Sequence, residues 1–204
     1  MRLVIVAGFC LALVALAQQP EQIEFKGIPF GITPAQFVER FPLVRCEKAK
    51  DIPGDTTCTG LREYACRLAP ATLRNCNERL ARDYYSYGGA EFKSISANFY
   101  SDSLISISLL FNARDFDSVL HALIARYGKP DELKTERAGA TYENVFAQWR
   151  RGSILYAEKY SGNLETSGVV FGSESGRIEF ECRKAERIKK GAKGLHQGLE
   201  VSPT

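Results

Sequence analysis

The chain opens on an unbroken apolar run, Leu3 to Leu16, and no later run approaches that length. Arg2 precedes it and Ala15-Leu16-Ala17 closes it, the layout of an export signal cleaved before Gln18. The run falls short of the roughly 20 residues that a membrane span needs. After a polar lead-in over residues 18–24, the pattern becomes periodic. Glu24 to Phe30 predicts a short first strand. Gly31-Ile32-Thr33-Pro34-Ala35-Gln36-Phe37 then carries the signals of a helix start. Thr33 is a natural N-cap, Pro34 loses nothing at the first helical position, and Gln36 completes a capping box. Phe37, Val38 and Phe41 supply the apolar face, and Pro42 ends the helix. A second helix begins near Asp115, where Phe116, Val119, Leu120, Leu123, Ile124 and Tyr127 recur at helical spacing. Gly128 suits its C-cap and Pro130 prevents its continuation.

Period-two stretches follow each helix. Ile95, Ala97 and Phe99 lead through Ser101-Asp102-Ser103 to Ile105, Ile107, Leu109 and Phe111. Val145, Ala147 and Trp149 lead through Arg150-Arg151-Gly152 to Ile154–Tyr160. Turns this short require antiparallel pairing. Two more strands, Gly168–Phe171 and Arg177–Cys182, flank the loop from Gly172 to Gly176. The hairpins align at an offset of 50, with Phe99 over Trp149, Ser103 over Ser153 and Leu104 over Ile154. The expected fold class is therefore α+β: two helix–β-hairpin units forming an antiparallel sheet, with helices packed on one face. The first unit carries an extra stretch of little regular pattern, about 44–80, inside a domain spanning 18–182.

The cysteines change the picture of that insertion. Cys46, Cys58, Cys66 and Cys76 all lie in it, and crosslinks would constrain a long irregular connection. In an oxidising compartment they read as disulfides, with Cys46–Cys58 and Cys66–Cys76 as the pairing that closes two local loops. A zinc site is the rival reading; spacings of eleven, seven and nine residues contain no C-x-x-C knuckle. Cys182 alternates with Ile178 and Phe180, which predicts a free thiol pointing into the core. Cys10 falls in the leader behind Phe9, a poor setting for lipid attachment.

Charge is uneven. The formal net charge is +3, yet residues 183–204 hold six Lys or Arg against two Glu, and the mature body before them is net −2. A chain so balanced is not built for nucleic acid. The basic segment reads as a disordered tail able to touch anionic lipid head groups or cell-wall polymers.

Few residues offer chemistry. Of the two histidines, His196 lies in the tail and His121 falls off its helix stripe beside Asp117, so no Ser-His-Asp or Cys-His arrangement is in view. Gly172-Ser173-Glu174-Ser175-Gly176 has Glu where a nucleophile elbow needs Ser. Asp51-Ile52-Pro53-Gly54-Asp55-Thr56-Thr57 lacks calcium-loop spacing and reads as a solvated turn. No catalytic residue, metal site or cofactor is assigned. The segment Tyr84-Tyr85-Ser86-Tyr87-Gly88-Gly89 is the surface of interest: Tyr84, Tyr85 and Tyr87 ahead of paired glycines suit a mobile aromatic contact, against the alternative that they enter the core.

The segment from Gly31 to Phe37, ending at Phe41-Pro42, resembles the Gly-Met-Thr helix motif of the SmpA/OmlA (BamE-like) envelope proteins, and Tyr127-Gly128-Lys129-Pro130 resembles the end of a second such helix. The tandem arrangement is similar to the secreted β-lactamase-inhibitor proteins. Ile32 stands in place of Met, and the family's lipid-attachment Cys and the cysteine insertion are points of difference. The resemblance implies helices on an antiparallel sheet and function through protein–protein contact; it assigns no functional residue. The reading at this level is an exported, non-enzymatic binding or inhibitor-like protein, periplasmic or secreted, whose partner is an envelope or secreted protein. The alternatives are a carboxylate-dependent envelope hydrolase and a structural envelope protein tethered by its tail.

Overall fold

The computed structural model describes residues 23–48, 55–68, 76–138, 142–159 and 166–174, together with Ile178 and Cys182. Residues 1–22, with the expected export signal, and the expected tail from Arg183 lie outside the described residues.

The middle of the chain alternates most clearly, and it forms the two longest strands. β4 (Ala90–Tyr100) and β5 (Ser103–Asn112) join through a two-residue turn at Ser101 and Asp102, both at positive φ (46° and 59°). Such a turn matches the twist of the strands it connects. Two register shifts alter the alternation. Asn98 opposes Ser106 while Phe99 opposes Leu104, so Ile105 is an extra residue and Leu104 takes the core position expected of it. Phe92 opposes Phe111 while Ser94 opposes Leu110, which places Lys93 as the extra residue on β4. Each bulge moves the core face by one residue.

Around this hairpin the described residues build one antiparallel sheet of nine strands. β1 (Arg45–Lys48), β2 (Asp55–Leu61), β6 (Glu132–Ala138), β7 (Tyr142–Arg150), β8 (Ser153–Lys159) and β9 (Thr166–Ser173) complete the order β1-β2-β4-β5-β9-β8-β7-β6. The two-residue β3 (Ser86–Tyr87) pairs with β4. A single register row crosses six strands through Cys58, Ala97, Ile107, Phe171, Leu155 and Trp149, and all six are fully buried.

The expected fold class is overturned. The helices are short: α1 (Pro34–Arg40), α2 (Ala65–Leu68), α3 (Glu78–Tyr84) and α4 (Phe116–Tyr127). Neither α1 nor α4 leads directly into the hairpin expected after it. α1 is followed by β1 and β2, and α4 by the three-strand meander β6-β7-β8. The expected irregular insertion instead supplies two strands of the sheet, β2 pairing along β4 from Asp55 to Leu61. Asp55, Thr56 and Thr57, expected in a solvated turn, lie in β2. The pattern hid this strand because its buried positions are Thr56, Cys58 and Gly60, none of which signals a hydrophobic face. β6 was equally silent because it is a charged edge strand.

The helix signals translate directly. In α1 the Gln36 N–H donates to Thr33 Oγ1 at 3.3 Å and the Thr33 N–H to Gln36 Oε1 at 2.9 Å, with Pro34 opening the helix. α4 buries Phe116, Val119, Leu123 and Tyr127. Gly128 ends it at φ +77°, and the Gly128 carbonyl accepts the Trp149 indole N–H at 2.7 Å, tying the helix end to β7.

The segment from Glu24 to Phe30 is not a strand. Lys26 and Gly27 take positive φ and a single bridge joins Phe25 to Ile28, so the chain makes a tight turn. Ile23, Phe25 and Ile28 are buried by it. The Phe25 ring lies 5.5–6.3 Å from those of Phe171, Tyr87, Phe92 and Phe41, a plug of the aromatic core. At the other end, Ile178 and Cys182 are in helical backbone and exposed, which corrects the strand expected over Arg177–Cys182.

Candidate functional site

In the tyrosine segment Tyr85 is core, and Tyr84 and Tyr87 are half-buried and packed against it. Tyr85 caps the end of α3, is fully buried, and donates its hydroxyl to the Leu43 carbonyl at 2.8 Å. Tyr84 packs edge-on to Phe41 at 5.2 Å, and Tyr87 packs edge-on to Phe171 at 5.5 Å. Burial pushes the Tyr85 and Tyr87 phenols above the ordinary range, with Tyr127 adding to the effect at Tyr87. Gly88 sits against α4 so closely that a Cβ there would stand 2.8 Å from Ala122 Cβ. Gly88 therefore serves a packed turn; of the three tyrosines Tyr85 takes the alternative of entering the core, while Tyr84 and Tyr87 are half-buried against it.

The cysteines pair locally. Cys46 is directly opposite Cys58 across β1 and β2, and Cys66 joins Cys76 between α2 and α3. Such bonds fit an oxidising compartment. Cys182 is unpaired and exposed, which corrects the expectation of a core position: its backbone is helical there, so strand alternation does not apply.

Catalytic constellations are thin. His121 is exposed on α4 beside exposed Asp117. Among the described residues no group of three His, Cys, Asp or Glu could hold a metal ion, and no helix is long and apolar enough to cross a membrane. A cleft of about 720 Å³ is lined by Arg62, Glu63, Glu78, Glu91 and Lys93. Its central carboxylate, Glu91, is engaged by Arg82 at 2.7 Å and Arg62 at 3.7 Å.

A second cleft, of about 270 Å³, is lined by Lys26, Arg40, Asp83 and Tyr84. Lys26 is exposed along its length, but its ammonium donates to the Asp83 and Tyr84 carbonyls at 2.7 Å, capping α3, and lies over Phe25 and Phe92. Burial of that end lowers the amine to about 8, against the opposing pull of Asp83. Between that value and the ordinary lysine value the unfolded chain binds a proton that the folded chain does not, so folding stability rises with pH across the window. The raised tyrosines act only above about pH 10. Denaturant midpoints at about pH 7 and about pH 9.5 check this: the rise expected in the native protein should be absent from Lys26→Met.

The remaining surface is the sheet face opposite the core. One register row crosses all eight strands of the main path through Arg45, Thr59, Ser96, Ser108, Val170, Tyr156, Gln148 and Glu132. The next row carries Leu61, Ser94, Leu110, Gly168, Glu158, Phe146 and Lys134. Thr57 and Asn98 on β2 and β4, with Ser106 on β5, extend the hydroxyl and amide cluster, Asn98 donating to Ser106 Oγ at 3.1 Å. Leu61 and Leu110 are exposed; Val170, Tyr156 and Phe146 are half-buried. Gln148 and Ile154 on this face are buried, so the open area centres on β2, β4, β5 and β9. Its part on β2, β4, β5 and β9 is neutral from Thr57 to Leu61, Ser94 to Asn98, Ser106 to Leu110 and Gly168 to Gly172, and its margins are charged, with Arg45 and Glu47 on one side and Glu158, Glu132, Lys134 and Arg150 on the other. Sequence reasoning marks Ile107, Leu109 and Phe111 on the core side of β5, names no residue of the open face and does not find β2.

Comparison of the chain with protein families, with curated proteins and with solved structures yields no match.

Proposed function

We propose that this chain is an exported, non-enzymatic protein of the bacterial cell envelope that captures another protein on the open face of its sheet. The observation that supports the reading is the composition of that face. A charge-depleted centre of Leu61, Leu110 and Val170, with Tyr156 beside it and Ser and Thr hydroxyls around it, is bordered by charged residues, Glu158 on β8 among them. Protein interfaces combine an uncharged, aromatic-bearing centre with a polar rim in this way. The resemblance of the Gly31–Phe37 segment to the SmpA/OmlA (BamE-like) envelope proteins supports the same class of function. The export signal and the paired cysteines are consistent with a periplasmic or secreted location.

The test uses residues 18–204 as bait in envelope extract under non-reducing conditions, beside the same bait carrying Leu110→Arg. Leu110 is 48% exposed, so the arginine should leave the unfolding midpoint within about 0.5 kcal/mol of native. A charge buried without a partner at the centre of an interface costs several kcal/mol. The expected result is one stoichiometric partner with the native bait and its loss with the variant. Recovery of the same partner by both baits would move the contact elsewhere on the molecule, and recovery of none would remove the reading.

A further inference from the structure

Among the described residues β6 is an edge of the sheet, hydrogen-bonded on one side to β7, and it ends the strand order. It is seven residues long, without proline, and its pairing with β7 is continuous from Glu132 to Ala138 with no bulge. The opposite edge, β1, has four residues. Natural edges of this length are usually blunted by charge, proline or irregularity. Here the charges are ordered instead. Glu132, Lys134 and Glu136 share one face of the strand; Leu133, Thr135 and Arg137 share the other. Leu133 is 54% exposed, although it stands in the register row of buried Ala147, Ala157 and Val169.

The geometry points to a second copy of this chain as the occupant of that edge, paired antiparallel about a two-fold axis through Thr135. In that register Lys134 of each copy lies opposite Glu136 of the other, Thr135 opposes Thr135, and Leu133 opposes Arg137, whose stem covers it. All seven residues are used, and the pairing adds about six to eight backbone hydrogen bonds. A two-fold axis perpendicular to the sheet pairs only residues of the same face, so the next registers slide the strands by two residues; these set Lys134 opposite Lys134, or Glu136 opposite Glu136, and like charges directly opposite are destabilising. The pattern thus admits one full-length register and opposes its neighbours, which is specific pairing rather than a blunted edge. The contact is isologous, and because the axis stands perpendicular to the sheet, both open faces point the same way. The inference stands apart from the proposed capture function: it concerns the strand's edge, not its face.

The mass of residues 18–204 in solution, followed by light scattering across a concentration series at low salt, tests it. The native chain is expected to form dimers as concentration rises. K134E and E136K, both on an exposed strand, are each expected to remain monomeric with an unchanged unfolding midpoint. Mixed together, the two variants present opposite charges at both positions and are expected to recover the dimer. A native chain monomeric throughout would overturn the inference, as would a dimer indifferent to either charge reversal. Loss of the dimer in both variants without recovery on mixing would overturn the register about Thr135.

Discussion

Gly60→Ala is expected to cost about 3–5 kcal/mol, combining overpacking with damage to a buried hydrogen bond. Gly60 faces the core from β2, and a Cβ built there overlaps the Tyr85 hydroxyl outright and stands 2.7 Å from the Leu43 carbonyl oxygen. Those two atoms are bonded to each other at 2.8 Å, so neither can retreat without breaking that bond. For a chain of this size the loss corresponds to a Tm lower by roughly 10–15 °C. Tyr85→Phe alone is expected to cost about 1–2 kcal/mol, because the Leu43 carbonyl loses its buried donor. Combining the two should be less harmful than their sum, since the phenylalanine removes the very atom with which the new methyl collides. Thermal and denaturant unfolding of the four proteins gives the cycle directly. Native-like stability of Gly60→Ala would mean that Tyr85 does not occupy the space above β2.

Phe25→Ala is expected to be comparably damaging, at about 3–5 kcal/mol. The residue lies outside every helix and strand, yet its ring is fully buried among Phe41, Tyr87, Phe92 and Phe171. Removing it leaves a cavity whose walls belong to α1, β3, β4 and β9, which cannot all close inward. The denaturant midpoint should fall with little change in its slope, because the folded state loses contacts rather than exposing a whole segment. Leu110→Ala, on the open face, is the control and should stay within about 0.5 kcal/mol of native. Equal effects from the two substitutions would show that the turn at Phe25 is no part of the core.

These two positions also mark where the sequence was and was not legible. Local signals with a single structural meaning translated well. The Thr33–Gln36 capping box, the helical stripe from Phe116 to Tyr127 and the turn at Ser101-Asp102 each specify backbone through contacts within a few residues. Long-range choices did not. β2 buries Thr56, Cys58 and Gly60, residues that carry no hydrophobic periodicity, and it joins the sheet because Tyr85 fills the space Gly60 leaves. β6 has no buried face for periodicity to report. Missing both strands left a sheet of two helix–hairpin units where the described residues form mostly sheet with a few short helices, and that is why the α+β class was wrong. The tyrosines were ambiguous for a related reason. Clustered Tyr and Gly suit an interface and a packed turn equally, and only the proximity of Leu43, Phe41 and Phe171 decides between them.

The open face depends on the same long-range pairing. Its neutral centre exists only because Thr57 and Thr59 of β2 come beside Asn98 and Ser96 of β4 and Ser106 and Ser108 of β5. No stretch of sequence contains it. Site-specific photo-crosslinking reads the contact without presupposing the partner. A photoreactive residue placed at Ser108, in the middle of the face, is compared with one at His121, exposed on α4. In envelope extract the Ser108 probe is expected to yield a single covalent adduct with another protein, and the His121 probe none. An adduct from His121 with none from Ser108 would contradict capture on the open face of the sheet.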